Sequence, residues 1–169
     1  MSVSFKTHYK SPIGLIEITG TADSLTSLYF VDDNSYSYST NESNQFLEQC
    51  IKQLAEYFAG DRKEFELNLM PEGTEFQKKV WNELLKIPFG ETKSYLWQSK
   101  MLGNQLAIRA VATANGQNKI SIIIPCHRVI GSDGSLTGYA GGLWRKKWLI
   151  EHEKNFFNIE KQLDLFQES

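Results

Sequence analysis

One cysteine stands where a reactive group could be used: Cys126 lies between a proline and a histidine, in the run Pro125-Cys-His-Arg-Val129. A free thiol has a pKa near 8.5, so only about 3 per cent is thiolate at neutral pH, and a nucleophilic Cys126 needs a base or a positive field. His127 and Arg128 are candidates. Because adjacent side chains of an extended segment point to opposite faces, His127 would reach Cys126 only at a bend or through a bridging water. The alternative is that Cys126 is a small buried side chain without chemistry.

A buried strand is predicted to deliver this cysteine. The run from Ser121 to Pro125 is apolar and rich in β-branched side chains, and Pro125 should end its pairing because it has no N–H. Cys126 would then lie at a strand exit, where reactive groups are commonly placed. Gly131-Ser-Asp-Gly134 behind it is turn sequence, and a helix follows.

The first part of the chain predicts a small α+β domain. Alternating runs at residues 3–9, 15–19 and 25–31 indicate an antiparallel meander, and residues 32–43 indicate a polar surface loop. The stretch from Asn44 to Ala59 has an apolar stripe of helical spacing and ends at Gly60. Cys50 lies on that stripe, so we expect it to pack in the core.

The second part predicts a mainly helical domain. Thr74-Glu-Phe-Gln77 is a capping box that opens one helix. Residues 94–101 and 105–114 predict two short helices around a Gly103-Asn104 turn, which is the helix-turn-helix pattern. Alanines make the second helix thin, and Arg109 is its only long cationic side chain. The pattern alone does not establish nucleic-acid binding, since many helical hairpins bind nothing.

The charge of the chain is unevenly distributed. The 169 residues carry a net charge of −2, but residues 1–71 carry −5, residues 72–155 carry +5 and residues 156–169 carry −2. A basic middle on an acidic chain is what a DNA-binding domain would look like, and ordinary solvated surface is the alternative.

The sequence shows no membrane-spanning stretch and no signal peptide. Its two cysteines predict neither a disulfide framework nor a zinc cluster, so a reducing cytoplasm is expected.

Several motifs agree with one known family in order and spacing. They are Phe89-Gly-Glu-Thr-Lys-Ser-Tyr95, Arg109-Ala-Val111, Asn115-Gly-Gln-Asn118, Pro125-Cys-His-Arg-Val129, Gly138-Tyr-Ala-Gly-Gly142 and Trp148-Leu-Ile-Glu-His-Glu153. Together they resemble the O6-alkylguanine-DNA alkyltransferases, repair proteins that move an alkyl group from damaged DNA onto their own cysteine. The resemblance is close over residues 74–153 and weaker before them. It implies an α+β fold: a ribonuclease H-like domain over residues 1–71, a winged helix-turn-helix-like domain over residues 72–155, and a tail over residues 156–169.

The resemblance implies a catalytic role for each matching residue. Cys126 is the alkyl acceptor, His127 acts as its base through a water, and Glu153 holds and polarises that histidine. Asn118 supports the active-site turn. Tyr95 donates to the guanine ring nitrogen as negative charge develops on the leaving base.

Further implied roles concern DNA and the flipped base. Arg109 enters the DNA stack where the nucleotide leaves a gap, and Ala110 and Gln105 lie against DNA with it. The wall of the base pocket is formed by Tyr139, Gly141, Gly142 and Ser121. The implied substrate is double-stranded DNA containing O6-alkylguanine, and also O4-alkylthymine. The implied reaction needs no metal and no cofactor. Its product is a thioether, so each protein molecule acts once. The resemblance also implies a monomer.

The chain departs from the family at a few positions. Lys119 and Ser121 stand where proline is usual, and we expect Ser121 to leave a roomier or differently shaped pocket. Two other readings of the chain are a non-catalytic lesion-binding protein and an unrelated cysteine hydrolase or redox protein. The first would lack the acceptor, and Cys126 argues against it. The second would need turnover or a second thiol nearby.

The last residues carry a separate motif. Gln162-Leu-Asp-Leu-Phe166 resembles the short peptide by which bacterial repair and replication proteins dock on the DNA sliding clamp. The docking side chains would be Gln162, Leu163, Leu165 and Phe166. The alternative is a tail that packs on its own domain through its apolar side chains.

Overall fold

The computed structural model describes residues 3–32 and 43–167, so most of the loop predicted over residues 32–43 lies outside the described residues. The chain forms two compact units. The first consists of Met1–Thr74 together with Lys119–Ile123, and the second of Glu75–Asn118 and Ile124–Ser169. The predicted α+β class is confirmed, because the first unit holds an antiparallel sheet and the second is mainly helical.

The sheet of the first unit is a three-stranded meander. Strands β1 (Phe5–Ser11), β2 (Gly14–Gly20) and β3 (Leu25–Val31) pair antiparallel in that order. Helix α1 (Gln45–Ala59) begins after Asn44, whose side chain accepts from the Leu47 N–H at 2.8 Å, and ends at Gly60 in the left-handed conformation. Cys50 is fully buried, which confirms its predicted place in the core.

The predicted strand over Ser121–Pro125 is wrong. Strand-like pairing is confined to a parallel bridge between Ile120 and Leu28, with Ser121 N donating to Leu28 O at 2.8 Å. The backbone of Ile122 then adopts a φ of 71°, which turns the chain and breaks the ladder. Residues 120–124 are nevertheless buried. An apolar run therefore predicted burial correctly, but it could not distinguish a strand from a buried turn.

The second unit contains four helices and one short parallel strand pair within its described residues. The elements are α2 (Glu75–Leu84), β4 (Lys93–Ser94), α3 (Tyr95–Met101), α4 (Ile108–Gly116), β5 (Val129–Ile130) and α5 (Leu143–Gln167). β4 and β5 pair parallel. The predicted helix-turn-helix is confirmed: Gly103 turns the chain with a φ of 83°, and a 3₁₀ turn over Gln105–Ala107 leads into α4.

The two helices of this hairpin are joined by a buried amide pair. Gln98 Nε2 donates to Asn115 Oδ1 at 2.9 Å, and Asn115 Nδ2 donates back to Gln98 Oε1 at 2.7 Å. Trp81 Nε1 of α2 donates to Ala114 O at 2.9 Å. Because unpaired polar groups are costly in the interior, these bonds favour a single arrangement of α2, α3 and α4.

The tail is a continuation of α5. The helix runs unbroken through Gln167, so residues 156–167 share one element with the end of the predicted second domain. Phe157 packs against Gly90, where an added Cβ would come within 2.9 Å of its side chain. Leu163 and Phe166 are 54% and 77% exposed, so more than half of each side chain lies at the surface. No helix in the described part of the chain has the length and apolar character needed to cross a membrane.

Candidate active site

Cys126 lies in a tight turn. It opens a 3₁₀ turn over Cys126–Arg128, directly after Pro125, and its N–H donates to Ile124 O at 2.8 Å. The side chain is 8% exposed. Asn118 fixes the turn from the side, since its Nδ2 donates to Ile124 O at 2.8 Å and contacts Cys126 Sγ at 3.3 Å. These two contacts place the Asn118 amide between the backbone of the turn and the sulfur.

A buried cluster of three charged or titratable side chains lies beside the cysteine. His127 Nε2 is 3.0 Å and 3.1 Å from the two carboxylate oxygens of Glu153. Arg128 donates to the same carboxylate through Nη2 at 2.6 Å and Nε at 2.9 Å, and its Nη1 donates to Ile87 O at 2.6 Å. The side chains of His127 and Glu153 are 0% and 1% exposed. The sequence suggested Arg128 only as a source of positive charge near Cys126. In the structure it is the second partner of the Glu153 carboxylate.

The surroundings of Glu153 keep it ionised. Burial alone would raise the pKa of its carboxyl, but His127 and Arg128 outweigh burial and lower that pKa from 4.5 to about 2. Burial also lowers the pKa of His127, and the attraction of Glu153 opposes this only in part. A neutral imidazole beside an ionised carboxylate is therefore the resting arrangement.

This arrangement fixes which ring nitrogen of His127 can act as a base. A neutral imidazole has one donor and one acceptor nitrogen. Nε2 faces the Glu153 carboxylate and must carry the proton, so Nδ1 is left as the acceptor. Nδ1 is buried and has no hydrogen-bond partner among the described residues. Cys126 and His127 make no direct hydrogen bond, so proton transfer between them needs an intervening water.

The Cys126 thiol is neutral at rest. Burial raises its pKa above 9.0, while the Asn118 amide and the positive charge of Lys146 oppose the rise. Deprotonation therefore has to be assisted by a base when the thiol reacts.

Lys146 is a functional candidate that the sequence interpretation missed. Its side chain is 0% exposed, and Nζ donates to Thr137 O at 2.9 Å and to the Tyr95 hydroxyl at 3.2 Å. A buried lysine is uncommon unless it is paired. Helical periodicity offered a signal, because Lys146 lies seven residues before Glu153 and shares its face of α5.

Tyr95 is tied to the loop that precedes α5. Its hydroxyl donates to Thr137 O at 2.9 Å. The predicted pocket residues Tyr139, Gly141 and Gly142 lie in the same loop, where Gly142 N donates to Tyr139 O at 2.9 Å with Gly142 at a φ of 93°. The structure thus connects Tyr95, Lys146 and the loop.

The other predicted site residues lie outside this cluster. Gln105, Arg109 and Ala110 are exposed, on the 3₁₀ turn and on α4. Ser121 is buried and belongs to the first unit, where its N–H is bonded to Leu28 O, a bond that proline could not make. The described residues hold no group of three or more His, Cys, Asp or Glu side chains suited to a metal ion.

Comparison with known families covers both units. The family described as "6-O-methylguanine DNA methyltransferase, ribonuclease-like domain" matches residues 5–71, and the one described as "6-O-methylguanine DNA methyltransferase, DNA binding domain" matches residues 75–155. The motifs of the active-site turn and of α5 through Glu153 fall within the second match.

Individual relatives agree over most of their length. A methylated-DNA--protein-cysteine methyltransferase of Methanosarcina acetivorans is 47% identical over 148 residues, which are 86% of this chain and 95% of the relative. The protein of the same name from Mycobacterium bovis is 45% identical, over 88% of this chain and 93% of its own. The crystal structure of Mycobacterium tuberculosis O6-methylguanine methyltransferase has a TM-score of 0.82 at 42% identity, covering 90% of this chain and 94% of that one. A structure of the same protein in complex with DNA matches equally well, with a TM-score of 0.82.

The lowered pKa of Glu153 predicts a specific loss of stability in acid. The pKa of the Glu153 carboxyl is 4.5 in the unfolded chain and about 2 in the folded protein. Its contribution to the free energy of unfolding is therefore complete above pH 4.5 and is lost as the pH falls toward 2. Between about pH 6 and about pH 3, urea unfolding should show a larger loss for the wild type than for Glu153→Gln. Glu151→Gln, on the exposed side of α5, is the control and should follow the wild type. Equal losses in all three proteins would contradict the assignment.

The charge of Lys146 predicts the acidity of the thiol. In a Cys50→Ala background, Lys146→Met should raise the pKa of Cys126, because it removes a nearby positive charge. Thiolate absorbance as a function of pH measures this directly, and iodoacetamide labelling near pH 8 should slow at least about threefold. Lys147→Met is the matched control, since the Lys147 side chain is 67% exposed. If both variants titrate alike, Lys146 does not act on the sulfur.

Proposed function

The chain belongs to the 6-O-methylguanine DNA methyltransferase family, and on that basis we propose that Cys126 is the sulfur that receives the alkyl group. The protein repairs DNA by direct reversal: it transfers the alkyl group of O6-alkylguanine to its own cysteine, once per molecule. The observation that carries the assignment is the buried Cys126 beside Asn118, followed at once in the chain by the His127–Glu153 pair.

The chemistry is an in-line displacement at an sp³ carbon. A sulfur–carbon bond forms as the bond from that carbon to guanine O6 breaks, and the electron pair of that bond leaves with the base. The thiol proton passes through a water to His127 Nδ1, and Glu153 stabilises the imidazolium that results. Because the pKa of the thiol is raised by burial, this assistance is required for the sulfur to attack.

The leaving base also needs a proton donor. Tyr95 donates to a ring nitrogen as negative charge develops on guanine. To do so, its hydroxyl gives up the hydrogen bond to Thr137 O and donates to the base instead. Lys146 donates to the oxygen of that hydroxyl at 3.2 Å, so it does not compete for the phenolic hydrogen, and it brings a positive charge close to the hydroxyl. The same chemistry would remove the alkyl group of O4-alkylthymine.

The substrate base has to leave the duplex to reach Cys126. Flipping costs a few kcal/mol, and a side chain that fills the gap offsets part of this cost. Arg109 is exposed on α4 and long enough for that purpose, while Ala110 beside it allows a close approach to DNA. Gln105, at the preceding turn, is exposed as well.

Repair is stoichiometric. The thioether formed on Cys126 does not exchange with thiols, and Cys50, whose pKa burial raises to about 12, is held in the core of the first unit and cannot resolve it. A monomer that works in the reducing cytoplasm fits this chemistry, because the acceptor must remain a free thiol until it reacts.

The tail supports a second proposal, which concerns delivery rather than chemistry. Leu163, Leu165 and Phe166 are 54%, 67% and 77% exposed, and they follow Gln162 beyond the matched DNA-binding domain. The exposure of the three apolar side chains that resemble the clamp-docking peptide supports this proposal. Docking on the bacterial sliding clamp would keep the protein close to newly replicated DNA and raise its local concentration there.

Mass spectrometry tests the acceptor. Incubation with a duplex containing O6-methylguanine should add one methyl group per protein, on Cys126, in the wild type and in Cys50→Ala. Cys126→Ala should gain none. An unchanged mass with retained DNA binding would favour a non-catalytic lesion-binding protein, and an unchanged mass without binding would contradict both.

Clamp docking is tested with the full-length chain. Wild-type protein should bind an immobilised bacterial clamp saturably, and Leu163→Ala/Phe166→Ala should bind at least about tenfold more weakly, because two apolar anchors are lost. Ile159→Ala is the control, since Ile159 is 50% exposed on the same helix but lies outside the motif. The proposal fails if binding of the wild type to the clamp does not saturate, or if the double variant binds the clamp as tightly as the wild type.

A further inference from the structure

One face of the helix-turn-helix carries two long side chains beside a row of short ones. Ala110, Thr113 and Gly116 of α4 are exposed, and an added Cβ at Gly116 would meet nothing within 4 Å. Arg109 and Leu106, three residues apart at the start of this face, are the long ones. A flat surface with projections at one end is suited to a shallow groove that must be approached closely and opened locally.

Leu106 is held out from the protein by its backbone. It is 96% exposed, more than any other large apolar side chain in residues 3–32 and 43–167. Asn104 Oδ1 accepts from Leu106 N at 3.0 Å, and Asn104 O accepts from Ala107 N at 3.2 Å. A single exposed leucine needs no explanation by itself. This one, however, is fixed by a capped turn, and Ile108 beside it is 38% exposed.

The surroundings of Leu106 favour a polyanion as the partner. The helix hairpin that carries Leu106, residues 94–118, includes Lys100 and Arg109 and no aspartate or glutamate. The segment lies entirely within the match to the DNA-binding domain. An apolar side chain on a protein interface would be expected among residues of mixed charge, whereas Leu106 projects from a helix hairpin whose only charged residues are basic.

We propose that Leu106 is an apolar wedge that enters the DNA minor groove next to Arg109 and unstacks the base step beside the flipped nucleotide. Apolar wedges between base steps are an established means of opening a duplex, and they act without reading sequence. The inference rests on the proposed function, because it assigns a second opening residue to the same DNA complex. Arg109 fills the gap in the stack, while Leu106 holds the neighbouring step open.

Three variants test the wedge. Leu106→Ala should bind an O6-methylguanine duplex about tenfold more weakly, because the apolar surface that the leucine buries against the bases in the complex is lost. It should also lower the fluorescence of 2-aminopurine placed beside the lesion, which reports unstacking. Leu85→Ala, at a 46% exposed leucine of the same unit, should match the wild type in both measurements. Reaction with O6-benzylguanine as the free base should be unchanged in every variant, since no duplex has to be opened.

The third variant separates a wedge from a contact with phosphate. Leu106→Lys should recover affinity through a phosphate and steepen the dependence of log affinity on log salt by about 0.9, yet leave the 2-aminopurine signal low. Leu106→Ala should leave the salt dependence as in the wild type. Normal fluorescence in either Leu106 variant, or a parallel loss with the free base, would overturn the inference. Failure of the wild type to repair the duplex would instead remove the proposed function, and the wedge with it.

Discussion

The contact between the Glu153 carboxylate and the His127 ring is the interaction on which the site depends. A carboxylate that is 1% exposed is costly unless its oxygens are paired, and here His127 and Arg128 pair them. Ile87 O holds Arg128 in turn at 2.6 Å. The result is a fixed negative charge that orients the histidine, favours its proton on Nε2 and leaves Nδ1 as the acceptor nitrogen.

The raised pKa of Cys126 is consistent with a protein that can react only once. An exposed thiolate would be lost to any soluble alkylating agent or oxidant. A buried neutral thiol is protected from such reactions and becomes a nucleophile only when substrate and proton path are in place. Asn118 and Lys146 partly offset the effect of burial, so the thiol is difficult to ionise but remains usable. Reactivity is thereby tied to recognition of the lesion.

Local sequence rules predicted those parts of the fold that depend on neighbouring residues. The helix predicted from Asn44 begins directly after that residue and ends at Gly60 as predicted, and Gly103 makes the turn of the helix hairpin. The family resemblance supplied Glu153 as the partner of His127. Glu153 lies 26 positions after His127, so local spacing could not assign it. The strand predicted before Cys126 was wrong because burial alone does not reveal the left-handed turn at Ile122.

Lys146 was missed for a related reason. A lysine in a charged helix is ordinarily solvated, and only the fold shows that its ammonium meets Tyr95 and Thr137. The assignment of residues 119–123 to the first unit also lies beyond the reach of sequence patterns, because a pairing with Leu28 links positions about ninety residues apart.

The state of the His127 ring is the most direct test of this account. Nitrogen-15 NMR of the free protein at neutral pH distinguishes the two neutral tautomers from the imidazolium. His127 should be neutral with its proton on Nε2, and Glu153→Gln should weaken that preference. A proton on Nδ1, or an imidazolium in the resting protein, would show that His127 cannot accept the proton of Cys126.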